Sequence, residues 1–383
     1  MVFLKMKIRS HIHRYLAIYI LSVVFSILKL MQTTTICELR DKDVSGDWEA
    51  FVAVASNASL SHMSGWREII ANAYGHKTFY LTACQDGEIT GILPLVQIKS
   101  RLFGNSLTSM PFQDYGGIVA GNQEAFQDLL YRALQLKNES AARFVELRYR
   151  EELPSFALSK GIAYGDKSTL VLDVSSGVEN LWKSFSPKVR NQVRKAQKSG
   201  LAVQIGGSEL LDEFYRPFAV NMRDLGSPVH HPKFFTEIFR VFGDDVRLVL
   251  IREGKKTVGG LVVFFHKNMA IVPWASCYRS YFSKCPNNLL YWETMQYACA
   301  RGCTQFDFGR SSLNSGTYHF KLQWGAVPSP LHWRMYGDNS VDNNTVQPPM
   351  ESRALRMASV LWKHIPIGVA NIVGPRIRRF LSN

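Results

Sequence analysis

Cysteine is scarce in this chain. Six stand among 383 residues, at Cys37, Cys84, Cys277, Cys285, Cys299 and Cys303, and none forms a C-x-x-C pair. That usage excludes a disulfide-stapled secreted scaffold and fits a reducing compartment. Cys299 and Cys303 share an expected helix, but His and carboxylate partners at zinc-site spacing are missing, so no metal is expected. The common catalytic signatures are missing as well: no G-x-x-x-x-G-K, no G-x-S-x-G, no H-E-x-x-H and no strand-linked G-x-G-x-x-G. Kinases, serine hydrolases, zinc proteases and dinucleotide enzymes are thereby disfavoured.

Long apolar runs are also sparse. Tyr15 to Leu28 is uncharged and mostly apolar behind Arg9, His11, His13 and Arg14, the charge order of a signal sequence or anchor. It falls short of the ~20 apolar residues of a membrane span, and no small-x-small cleavage site follows. Two readings stay open for residues 1–31: an anchor, which would place the body outside the cytoplasm, or sequence upstream of a true start at Met31.

What is present is a core-forming composition, 46% hydrophobic with 12% aromatic residues, which excludes a disordered or collagen-like chain. The length favours two domains, or one large one with appendages. The formal charge of +14 is concentrated in three places: residues 1–31, residues 350–383, and a segment with Lys183, Lys188, Arg190, Arg194, Lys195 and Lys198. The remainder is close to neutral, which disfavours a generic nucleic-acid surface.

A long-period repeat organises the chain. Residues 80–96 read as a hairpin turning at Asp86-Gly87, and residues 248–264 repeat it around Glu253-Gly254. An expected helix follows each, Gln123 to Asn138 and Asn287 to Arg301, and then a short strand ending in Arg, Phe144 to Arg148 and Phe306 to Arg310. Between the copies, Ser186, Pro187 and Gly200 punctuate a helix over 186–200, with Arg190, Arg194 and Lys198 on one face and Val189, Val193 and Ala196 on another. Its unmixed charge suits either a solvated face or a phosphate-docking surface. The basic amphipathic tail, 336–383, is broken by Pro366 and Pro375 and suits an anionic membrane surface or packing against the body.

Polar and aromatic residues are densest late in the second copy. Period-two alternation puts Asp307 and Gly309 on one side of a strand and Phe306 and Phe308 on the other. Asp307 reads as a catalytic carboxylate or as one paired with Arg310 or Arg279. A loop rich in amide donors then delivers Tyr318, Lys321 and Trp324. Lys321 suits a developing oxyanion or a phosphate, or a snorkelling position over aromatics.

Several segments together resemble FemAB-type proteins. They are the basic helix Ser186 to Gly200, Cys-Pro-Asn-Asn-Leu-Leu-Tyr-Trp-Glu from Cys285, Phe-Asp-Phe-Gly-Arg-Ser from Phe306, and Gly-Thr-Tyr-His-Phe-Lys-Leu-Gln-Trp-Gly from Gly316. The similarity runs from about Trp66 to Trp333 and is closest to FemAB-related proteins of exosortase (PEP-CTERM) systems and exopolysaccharide loci. The resemblance implies an α/β (α+β) fold of two tandem GNAT-like units, each a mixed, mostly antiparallel sheet flanked by helices, over residues 32–175 and 176–335. It also implies acyl transfer.

On that model Lys321 supplies charge stabilisation, and Tyr318 and Arg310 line its pocket. Asp114 and Tyr115, in Met-Pro-Phe-Gln-Asp-Tyr-Gly-Gly from Met110, contact the acceptor. Trp274, Asn287, Asn288 and Tyr291 orient substrate, Arg190 and Arg194 match basic family positions, and the general base is Asp307 or Asp114. The donor is acyl-CoA or aminoacyl-tRNA. The long helical arm of tRNA-using members is absent after the basic helix. The nearest match to the CoA-pyrophosphate turn, Arg101 to Ser106, is off-pattern at its last residue and otherwise a hairpin turn. The expected acceptor is an amine or hydroxyl of a cell-envelope or polysaccharide precursor. The expected location is the cytoplasm, at the inner face of the membrane. A non-catalytic binding subunit of a polysaccharide assembly complex is the alternative.

Overall fold

The computed structural model describes residues 34–39, 46–153, 156, 161–337 and 353–382, so the expectations for residues 1–31 lie outside it. The first copy runs β1 (Thr35–Leu39), α1 (Gly46–Val54), α2 (Gly65–Tyr74), β2 (Lys77–Gln85), β3 (Glu88–Ser100), β4 (Gly104–Thr108), β5 (Val119–Ala120), α3 (Gln123–Glu139), β6 (Val145–Tyr149) and β7 (Ile162–Tyr164). The first copy closes with β8 (Lys167–Asp173), and the second runs α4 (Gly177–Ser184), α5 (Pro187–Lys198), β9 (Leu201–Gly206), α6 (Leu211–Asp224), α7 (Pro232–Phe242), β10 (Val246–Glu253), β11 (Lys256–His266), β12 (Met269–Cys277), α8 (Pro286–Ala300), β13 (Gln305–Ser312), α9 (Gly316–Leu322), β14 (Val327–Pro330) and β15 (His332–Tyr336). Two helices close the chain, α10 (Arg353–Trp362) and α11 (Ile367–Arg378).

Local chemistry explains the boundaries. The β2–β3 hairpin turns on Asp86 and Gly87 at φ 53° and 84°, the left-handed pair that an Asp-Gly turn supplies. Asn122 caps α3 by accepting from Ala125 N at 2.8 Å. Ser186 caps α5 above Pro187, and Val189, Val193 and Ala196 are its buried stripe. That stripe packs on α8, leaving the cations on the outer side.

Each copy builds a sheet, and the two sheets trade strands. The first sheet has the order β1-β2-β3-β4-β6-β15-β7, with β5 beside β3, and the second β14-β8-β13-β12-β11-β10-β9. In each, one parallel pair interrupts otherwise antiparallel pairing: β4 with β6, and β12 with β13. Both parallel pairs are short, ending at Thr108↔Glu146 and Ile271↔Asp307. The sheets are therefore mixed and mostly antiparallel, as expected.

The expected boundary at 175/176 does not separate them. β8 precedes it yet lies between β13 and β14, whereas β15, from the end of the second copy, lies between β6 and β7. Local sequence hides this exchange. Tyr164 and Lys167 flank Gly165-Asp166 as a hairpin would, but the two strands part into different sheets.

Candidate active site

The strand exchange brings both copies to one place. The segment after β4 leaves the sheet through Met110 and Phe112, both left-handed at φ 48° and 70°. It is pinned from several sides. Arg148 Nη1 donates to Gln113 O at 2.8 Å, and Gly116 N and Gly117 N donate to Arg148 O at 3.0 and 2.7 Å. Gly117 O meets His62 Nε2 at 2.9 Å, and Phe112 N donates to Ser382 O at 2.9 Å. Gly117 allows no side chain, because a Cβ there would lie 2.5 Å from the Tyr149 ring. The loop's two expected acceptor residues, Asp114 and Tyr115, thus arrive on a rigid support.

They meet the end of β13. Tyr115 donates its hydroxyl to Asp307 Oδ2 at 2.8 Å. Asp307 Oδ1 accepts from Thr169 Oγ1 at 2.5 Å and from Gly309 N at 2.8 Å. Asp307 pairs with neither expected arginine. Arg310 instead binds Asp114, through its N–H to Oδ2 at 3.0 Å and through Nη1 to Oδ1 at 3.3 Å. Trp333 Nε1 donates to Asp114 O at 2.9 Å. The Trp333 ring lies beneath two guanidinium groups, Arg148 at 4.2 Å and Arg310 at 5.4 Å from its centre. Those arginines end the two repeated short strands, so the internal repeat converges on a single indole.

A bulge between Asp307 and Arg310 interrupts the pairing of β13 with β8. Gly309 sits in it at φ 72°, where a Cβ would approach Val272 O to 2.7 Å. Turned outward by the bulge, Gly309 O and Arg310 O accept from Lys321 Nζ at 2.7 and 3.0 Å. Lys321 is 6% exposed. The residue arrives on α9, capped by Ser315, rather than on the expected loop. Burial pushes its ammonium down to about 8, against the opposing pull of Asp307 and Asp114. Burial also raises the Asp307 carboxyl, while its three hydrogen bonds act in the opposite direction.

The other expected residues disperse. Tyr291 packs in the second-copy core against Phe306, Phe308 and Phe320. Asn288 is buried and donates to Gln192 on α5 at 3.2 Å, with Asn287 half-buried beside it. Trp274 belongs to a different aromatic cluster with His230, Phe234, Phe235 and Phe264. Tyr318 is half-buried on α9. Arg190 donates to Lys183 O at 2.9 Å, and Arg194 lies 5.7 Å from the Trp182 ring centre. No contact brings these two to Asp307 or Lys321. Arg101 to Phe103 forms the β3–β4 turn and opens no helix, so it lacks the pyrophosphate-turn geometry.

Beside the Tyr115 ring lies a cavity of about 350 Å³, lined among others by His62, Gly117, Asn122, Arg148, Arg150 and Glu151. Thr169, Glu146, Arg148 and Trp333 were not picked out by sequence reasoning. The repeat carried a signal for Arg148, which occupies the position of Arg310.

Two tandem α/β units, each splaying at a short parallel strand pair, meet at this site. Residues 183–322 match the acetyltransferase (GNAT) domain family. FemX shares the fold at TM-score 0.64 and 17% identity, over 80% of this chain and 98% of that one. A tandem GNAT protein from the clavulanic acid biosynthesis pathway aligns at TM-score 0.53 and 13% identity, over 81% of this chain and 100% of that one. L-PGS from Bacillus licheniformis aligns at TM-score 0.50 and 13% identity, over 86% and 96%. No curated protein matches the chain by sequence.

Proposed function

We propose that this chain transfers an acyl or aminoacyl group from an activated donor to an amine or hydroxyl of a cell-envelope or exopolysaccharide precursor. The observation that carries the reading is the buried Lys321 ammonium at the broken end of β13, within electrostatic reach of the Asp114–Tyr115 loop of the other copy. The acceptor's nucleophilic atom attacks the acyl carbonyl and forms the new bond. Collapse of the tetrahedral intermediate breaks the bond to the CoA thiol or the tRNA ribose oxygen, which leaves with a proton. Lys321 stabilises the oxyanion. The cavity that Tyr115 lines, which reaches neither Asp114 nor Lys321, accommodates the body of the acceptor away from the reacting atoms, and its volume falls within the ~300–1,000 Å³ of ligand pockets.

The acceptor's proton goes to Asp114. Arg310 binds both of its oxygens, but the Asp114 side chain is partly exposed, whereas Asp307 is sealed from solvent, and a base must reach the proton it removes. Asp307 positions Tyr115 instead. In this reading the protein works at the cytoplasmic face of the membrane, where such precursors are built.

Titration calorimetry of the full chain with a panel of acyl-CoA thioesters, and separately with an aminoacyl-tRNA pool, tests the donor. Saturable heat with one class is expected. Heat with neither overturns the transferase reading in favour of a binding subunit.

The transfer rate also has a predicted pH dependence. An oxyanion needs the charged lysine, so the rate should fall as pH rises through about 8, where Lys321 loses its proton. A rate that climbs through the same range would make Lys321 the base and displace Asp114.

A further inference from the structure

The C-terminal helices have two unlike faces. On the inner one, Trp362, Ala370, Gly374, Pro375 and Arg378 are buried. Arg378 Nε donates to His230 Nε2 at 3.0 Å, and His230 Nδ1 meets the Tyr74 hydroxyl at 2.6 Å. The outer face is apolar and exposed: Met357, Val360 and Leu361 on α10, at i, i+3 and i+4, and Val369 and Ile372 on α11, at i and i+3. These are five of the twelve exposed large hydrophobic residues among the described residues, gathered on a short stretch of chain. The segment carrying exposed Leu225 adjoins these helices, since Gly226 packs against Ser359 and Lys363 and Arg223 donates to Ile365 O. Lys363 and Arg376 are exposed alongside, and no acid occurs from 352 to 383. None of the described helices is long and apolar enough to cross a membrane.

We infer that α10 and α11 form a docking surface for an anionic lipid bilayer, lying in its interface. Apolar side chains that enter the acyl boundary, flanked by cations at headgroup level, are the composition such a surface requires. A second copy of the chain is a poor occupant, because two such basic faces repel. The inference is independent of donor and acceptor.

Co-sedimentation of the full chain with vesicles tests it. The parent should pellet with phosphatidylcholine vesicles containing one-third phosphatidylglycerol and stay in solution with pure phosphatidylcholine. Leu361→Asp/Ile372→Asp should lose bilayer binding. Lys363→Glu/Arg376→Glu should weaken it by about tenfold or more, given the contribution of each basic side chain near an anionic surface. All four substitutions are at exposed positions, so thermal unfolding should match the parent. A parent that ignores anionic vesicles, or variants that pellet as the parent does, overturn the assignment. Lipid-free, concentration-dependent self-association abolished by Leu361→Asp overturns it in favour of a dimer face.

Discussion

Replacing Lys321 with alanine should lower kcat/KM for transfer by roughly 10²–10³-fold, the loss typical of removing one oxyanion donor. The substitution also removes the donor that satisfies Gly309 O and Arg310 O. Part of its effect is therefore on stability, about 1–3 kcal/mol for buried carbonyls left without partners. Lys321→Met isolates the lost charge from the lost volume. It keeps the volume and leaves the same carbonyls unsatisfied, so it should unfold close to the alanine variant and show the same rate loss. Both variants should also lose the fall in rate near pH 8, because the titrating group is gone. Lys321→Arg should not restore the rate, since a planar fork cannot place a point charge between two backbone carbonyls. Full turnover by the alanine variant would remove Lys321 from the chemistry.

The repeat, both hairpins, the capped helix α5 and the class of fold were legible, because each rests on local signals: turn residues, caps and periodicity. Lys321, Asp307, Asp114 and Tyr115 were singled out from a dense polar and aromatic stretch and a family resemblance, and they do converge. Their partners were not foreseen. Asp307 was expected as a catalytic carboxylate or as one paired with Arg310 or Arg279, and it is hydrogen bonds from Tyr115, Thr169 and Gly309 N that satisfy it. Thr169 reaches it because β8 crosses into the second sheet, and no feature of Lys167 to Asp173 announces that crossing. Asn288 and Tyr291 looked like substrate contacts because polar and aromatic residues cluster there. On a helix buried on every side over residues 288–292, however, such residues also serve the core, and Tyr291 packs on Phe308. Sequence spacing identifies chemistry-bearing residue types but does not tell which face of an element meets the other copy.

Arg148→Ala should be the most destabilising single substitution at the seam, costing about 3–5 kcal/mol, the range for breaking a buried ion pair from one side. Arg148 is 0% exposed, and both its Nε and its Nη2 lie 2.5 Å from Glu146 Oε1. Its Nη1 donates to Gln113 O, and its guanidinium covers Trp333 of the exchanged strand β15. Removing it leaves the buried Glu146 carboxylate without its principal counter-charge and frees the loop that carries Asp114. The midpoint of urea unfolding should fall, and KM should rise more than kcat falls, because the loop positions the acceptor. A paired change discriminates the cause. If the cost is the uncompensated carboxylate, Glu146→Leu/Arg148→Met should recover most of the stability, since apolar replacement of a buried pair is often near neutral. The double variant should nevertheless keep the KM defect, because Gln113 O still lacks its donor. If the double variant is as unstable as Arg148→Ala, the indole stacking and the loop contact carry the seam, and the ion pair contributes little.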